Sequence, residues 1–109
     1  MLQSQTAVLE RNTVFSGDFA TEPFEVAWAR EARWYLQILE RTGSPKVGLV
    51  TQVSPDGLNW VDLDGSAVQA GSGPLTTWPV SEFGHWLRVR GSVSEGASVK
   101  VRIYLALKS

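Results

Sequence analysis

The strongest signal in the chain is an alternation of apolar and polar residues with a period of two. Val99, Val101, Ile103, Leu105 and Leu107 alternate with Ser98, Lys100, Arg102, Tyr104, Ala106 and Lys108. Successive side chains of an extended chain point to opposite faces, so this run predicts a strand with one buried and one solvated face. Upstream, Leu87, Val89, Gly91 and Val93 alternate with Trp86, Arg88, Arg90 and Ser92. Between the two runs lies Ser94-Glu95-Gly96, and a three-residue loop with glycine in the left-handed position predicts a hairpin. In that hairpin Val89 faces Val101 and Leu87 faces Ile103 on the core side. On the outer side Arg90 faces Lys100, Arg88 faces Arg102 and Trp86 faces Tyr104.

The same period recurs earlier. Phe24, Val26 and Trp28 alternate with Glu25, Ala27 and Ala29, and Trp34, Leu36 and Ile38 alternate with Tyr35 and Gln37. Ala, Glu, Arg and Leu between Glu25 and Leu39 are also helix formers, but the Trp34-Tyr35 pair and the period of two predict strands. Residues Lys46 to Ser54 read as a strand, and Ser54-Pro55-Asp56-Gly57 as a type I turn with proline second and glycine fourth. Asn59 to Leu63 reads as a short return strand, residues 65–74 as a glycine-rich loop, and Leu75 to Val80 as a further strand. Ala7-Val8-Leu9 and Val14-Phe15 are shorter strand pieces. The sum is about seven or eight strands in one domain spanning residues 1–109. An all-β antiparallel sandwich or jelly roll is the expected fold.

The most distinctive segment runs from Val50 to Leu63 and contains Ser54-Pro55-Asp56-Gly57-Leu58-Asn59-Trp60. It resembles a hairpin of discoidin-like and carbohydrate-binding β-sandwiches, and Gly84-His85-Trp86-Leu87-Arg88-Val89-Arg90 resembles the strand that follows it there. Taken in order over residues 17–107, the pieces resemble small jelly-roll proteins encoded among phage structural genes. Discoidin domains are longer and commonly close their ends with a disulfide; this shorter chain has no cysteine and fits the phage-type group better. The resemblance implies a virion component such as a head decoration, spike-base or tail-associated protein. In the hairpin, Asp56 and Gly57 are expected to make the turn and Trp60 to pack behind it.

Composition narrows the chemistry. With no cysteine there is no disulfide, thiol nucleophile or cysteine zinc site. His85 is the sole histidine, so one chain cannot build a two-histidine metal site or a histidine-paired dyad. Asp56, Asp62 and Asp64 cluster near the hairpin, but Asp62-Leu63-Asp64-Gly65 lacks the remaining ligands of a calcium loop and is read as turn-forming. No catalytic residue, cofactor or metal is expected, and the chain reads as a non-enzyme. A net charge of −1 speaks against wholesale nucleic-acid binding, and no apolar run is long enough for a membrane span. Met1-Leu2-Gln3-Ser4-Gln5-Thr6 lacks the basic start and apolar run of a signal peptide, which favours synthesis in a host cytoplasm and residence in a virion.

Five tryptophans are many for 109 residues. Trp34 and Trp60 are expected in the core, with Trp28 on the face of Phe24 and Val26. Trp86 is expected outside, opposite Tyr104, and Trp78, beside Pro79, at an exposed edge. Arg88, Arg90, Lys100 and Arg102 would form a block of like charge on the outer face of the hairpin, which is unfavourable unless carboxylates of a neighbouring strand or subunit compensate. The candidate interface is therefore Trp86, Arg88, Arg90, Lys100, Arg102 and Tyr104, with Trp78 beside them. Its expected partners are other virion proteins, with the chain as a homo-oligomer or lattice-bound subunit. A glycan is the alternative ligand.

Overall fold

A computed structural model describes residues 2–109; Met1, the first residue of the expected domain, lies outside the described residues. The elements are β1 (Ser4–Phe15), β2 (Asp18–Ala20), β3 (Phe24–Glu25), β4 (Glu31–Thr42), β5 (Val47–Ser54), β6 (Val61–Asp62), β7 (Val68–Ala70), β8 (Leu75–Val80), β9 (Trp86–Val93) and β10 (Ser98–Lys108). They form two antiparallel sheets. The first has the order β1-β10-β4-β8; the second has the order β2-β9-β5-β6, with β3 also on β9 and β7 also on β5. The all-β sandwich is as the alternation predicts, with ten strands where seven or eight are expected. The additional ones are β2 and β7, pieces of three residues at sheet margins, β7 lying within the stretch 65–74 expected as a loop. β1 is one strand of twelve residues, joining the two apolar pieces read near the N-terminus.

The core is assembled from the inward positions of both sheets. Ala32, Trp34, Leu36 and Ile38 of β4 and Val99 to Leu107 of β10 supply the first sheet's inner face. Val47, Leu49, Leu87, Val89 and Val93 supply the second. Burying one such side chain contributes about 1.5–3 kcal/mol, which fixes the facing of each strand, since a slip by one residue would turn the whole apolar row into water. Gly91 sits where a side chain would not fit: a Cβ there would lie 2.5 Å from the Phe19 ring and 2.9 Å from the Gly48 carbonyl oxygen.

The expected C-terminal hairpin is absent. β9 is flanked by β5 on one side and by β2 and β3 on the other, whereas β10 lies between β1 and β4. The chain from Ser94 to Ala97 passes from one sheet to the other. Ser94 donates its amide to the Lys46 carbonyl (3.0 Å) and accepts the Lys46 amide on Oγ (2.9 Å), tying the start of this arch to the end of the sandwich. Val89 pairs with Thr51, and Val101 with Ile38, in place of each other. The buried residues are nevertheless those the alternation selects. A hairpin and an inter-sheet arch both leave the alternating apolar residues of the two strands facing one core.

Two further expectations are corrected. The strand at Phe24 stops at Glu25, because Val26 donates its amide to the His85 carbonyl and the Ala29 amide turns back to the Val26 carbonyl (3.0 Å). Glu25 Oε1 accepts the Ala27 amide within that turn (2.8 Å). Trp28 is only half-buried, packed at the core's margin. Trp78 is not an exposed edge aromatic: it is 6% exposed, paired across strands with Trp34, their rings 6.3 Å apart.

Trp78 also forms a polar link between the sheets. Its indole Nε1 donates to Oγ1 of Thr51 on β5 (3.1 Å), and both residues are buried. The Trp34 indole N–H, by contrast, has no hydrogen-bond partner among the described residues. Removing one partner of a buried hydrogen bond leaves the other unsatisfied, whereas removing an unpaired donor relieves its desolvation. The substitution Trp78→Phe is therefore expected to cost about 1–3 kcal/mol more than Trp34→Phe. Urea unfolding with unchanged slopes measures the difference; equal losses would refute the inter-sheet bond as a stabilising contact.

Candidate functional site

The turn after β5 is built by its own side chains. Ser54 Oγ accepts the amides of Asp56 (3.2 Å) and Gly57 (2.8 Å) and donates to Asp56 Oδ1 (3.0 Å). Asp56 Oδ1 accepts the amides of Leu58 and Asn59, both at 2.9 Å, and Oδ2 accepts Asn59 Nδ2 at 2.8 Å. The Asn59 amide foremost, then that of Leu58, hold the Asp56 carboxyl well below the usual carboxylate range. Gly57 has φ of 79°, and a Cβ there would lie 3.4 Å from the Trp86 ring. The turn thus closes over Trp86, which is half-buried beneath it.

Beyond the turn, the outer face of the second sheet carries a polar row. Gln52 is in register with Arg88 on β9 and with Asp62 on β6. Arg88 Nε donates to Gln52 Oε1 (2.8 Å), and Gln52 Nε2 donates to Asp62 Oδ1 (2.9 Å). Arg90 grips the same carboxylate with two bonds, Nε to Oδ1 at 2.9 Å and Nη2 to Oδ2 at 2.7 Å. Such two-point pairing fixes geometry as well as charge. The hydrogen bond from Arg90 holds the Asp62 carboxyl well below its usual range, and the same bond raises Arg90. Arg88 lies with its guanidinium carbon 4.4 Å from the centre of the Trp60 ring, a cation–π contact. Burial lowers the pKa of Arg88 from the ordinary arginine value.

The seven candidate interface residues do not form one patch. Trp86, Arg88 and Arg90 lie on the outer face of the second sheet. Lys100, Arg102 and Tyr104 lie on the outer face of the first sheet, on the opposite side of the sandwich. Trp78 is in the core between them. The expected pairs Arg90–Lys100, Arg88–Arg102 and Trp86–Tyr104 are therefore not made, and the four cations are not one block. Arg102 donates to Asn12 Oδ1 (3.1 Å), and Tyr104 stands between Tyr35 and Val8 of neighbouring strands.

Trp60, expected in the core, is half-buried and stands against Arg88. Asp62, expected to form a turn, lies in β6 and binds Arg90 and Gln52; Gln52 is not among the expected interface residues. Their signal was the outward parity of Gln52 within β5, next to a short return strand carrying a carboxylate. Asp64 accepts the Thr51 amide on Oδ2 (2.8 Å), so the carboxylates near the hairpin serve backbone and arginine donors. No cluster of three or more histidine, cysteine or acidic residues able to hold a metal occurs among the described residues.

No protein-family model and no curated protein matches the sequence. Among solved structures, the fold is similar to that of the PBSX exported protein XepA, with a TM-score of 0.70, 13% identity and 94% of this chain covered. The chain spans 36% of the length of that protein. Matches with lower TM-scores are FLHE (0.44, 15% identity, 99% of this chain and 95% of that one) and a structure of infectious bursal disease virus Gx strain (0.46, 12% identity, 98% and 32%).

The two depressed carboxyls make the turn and the polar row pH-dependent. A carboxyl whose folded-state pKa is lowered stabilises the fold fully above its unfolded-state value, near about 4, and loses that effect as pH falls towards the folded value. Acidification from about pH 5 to about pH 2 is expected to lower the melting temperature, and to lower it less in a D56N/D62N variant. Thermal melts followed by circular dichroism test this; identical acid sensitivity in both proteins would contradict it.

Proposed function

We propose that the chain is a non-enzymatic virion-type structural protein acting through protein–protein contacts. Head decoration, spike-base and tail-associated roles all belong to this reading, with synthesis in a host cytoplasm. The observation that carries it is the pre-built outer row on the second sheet. Gln52, Asp62, Arg88 and Arg90 are held by mutual bonds, and Trp60 and Trp86 are half-buried beside them. Aromatic residues and arginine are enriched where protein partners dock, and side chains already fixed lose little entropy on docking. The phage-type resemblance of the Ser54-Pro55-Asp56-Gly57 hairpin supports the virion setting, as does the fold shared with a PBSX exported protein.

A glycan is the second reading. It is favoured by two half-buried indoles next to amide, guanidinium and carboxylate groups, the mixture that stacks on and hydrogen-bonds a sugar ring.

Mass spectrometry of purified particles from the source of the gene is expected to find the chain at fixed stoichiometry. Replacing Trp60 and Arg88 together by alanine is expected to lower its incorporation, while folding is monitored by circular dichroism. Particles that lack the chain, combined with a glycan-dependent change in tryptophan fluorescence, would favour the second reading over the first.

A further inference from the structure

The charges of this nearly neutral chain are segregated. The strands of the first sheet carry six cations (Arg11, Arg33, Arg41, Lys100, Arg102, Lys108) against three anions (Glu10, Glu31, Glu40), a net charge of +3. The remainder carries four cations against eight anions, a net charge of −4. Among the described residues the Arg90–Asp62 contact is the only ion pair. Arg33, Lys100, Arg102 and Lys108 stand on the first sheet's outer face and none closes an ion pair among the described residues, although Glu40 is in register with Lys100 and Glu31 with Lys108. At the β2–β3 margin of the second sheet, Asp18, Glu22 and Glu25 are exposed and close no ion pair among the described residues, Asp18 acting on Arg90 only at longer range.

The basic face also has relief. A groove of about 360 Å³ runs beside Arg33, lined also by Arg30, Glu31, Tyr35, Pro79 and Lys108, so three cations stand there against one carboxylate. It exists because Arg33 has proline on one neighbouring strand and alanine on the other. Sheet edges offer less. β1 is broken by two register shifts, and β8 contains Pro79 and follows Pro74. The margins of the second sheet are strands of two or three residues. Bulges, prolines and short strands are the features that block edge-to-edge pairing. Association is thereby directed to charged surfaces.

We infer that this protein associates with itself head to tail, the acidic β2–β3 corner of one copy docking on the basic face and groove of the next. The inference rests on the reading that the chain works through subunit contacts, and it names a second copy as a partner. Because the two surfaces differ, the contact is heterologous and generates a ring or a filament.

Light scattering after size exclusion, on the full chain, tests it. At low salt the protein is expected to form species larger than a dimer, with association weakened on the order of tenfold by raising salt to about 0.5 M. R33Q/K108Q and E22Q/E25Q are each expected to be monomeric, with circular dichroism unchanged. Mixed together they are expected to form a one-to-one dimer, because one intact acidic corner meets one intact basic face. A strict monomer at low salt and high concentration would overturn the inference, as would a dimer that neither variant disturbs. If such a monomer is still found in purified particles, the self-contact fails while the virion reading stands.

Discussion

Everything in this molecule depends on how two alternating strands, β9 and β10, are shared between sheets. Each is internal to its own sheet, and the buried positions of both belong to one core cluster. The arch from Ser94 to Ala97 imposes this, anchored by two hydrogen bonds between Ser94 and Lys46. With both flanks of each strand occupied by other partners, the backbone groups of β9 and β10 are satisfied without each other. The inter-sheet bond from Trp78 to Thr51 adds a directional contact to an otherwise apolar interface.

That arrangement decides the surface. Had β9 and β10 been hairpin partners, four cations would have crowded one face, and like charges opposite one another repel. Divided between two faces, they meet different surroundings. Arg88 and Arg90 are drawn into a network with Gln52, Asp62 and Trp60, while Lys100 and Arg102 remain on the open face of the first sheet. The first arrangement is a rigid surface with its hydrogen bonds committed; the second is a face on which cations outnumber carboxylates. A protein that assembles by surface contacts gains from both, because rigidity limits the entropy lost on docking and charge steers the approach.

The sequence made the facing of the strands legible and concealed their neighbours. Val99 to Leu107 and Leu87 to Val93 are buried as alternation requires, because burial depends on which side of the backbone a residue occupies. Pairing depends on the path of the connection, and Ser94-Glu95-Gly96-Ala97 serves an arch as well as it serves a hairpin. The turn at Ser54 to Gly57 was readable because its hydrogen bonds are local. The contact of Arg90 with Asp62 spans 28 positions, and that of Arg88 with Gln52 spans 36, so neither has a local signature. Trp60 and Trp78 exchanged their expected places for the same reason. Which indole is inside was set by the sheet opposite it.

Backbone NMR distances between strands test this account most directly. Strong cross-strand contacts are predicted between Val89 and Thr51 and between Val101 and Ile38, with none between the backbones of Val89 and Val101. A ladder of contacts joining Val89 to Val101 and Leu87 to Ile103 would restore the hairpin. It would also reunite the basic block and contradict the division of charge on which the proposed contacts rest.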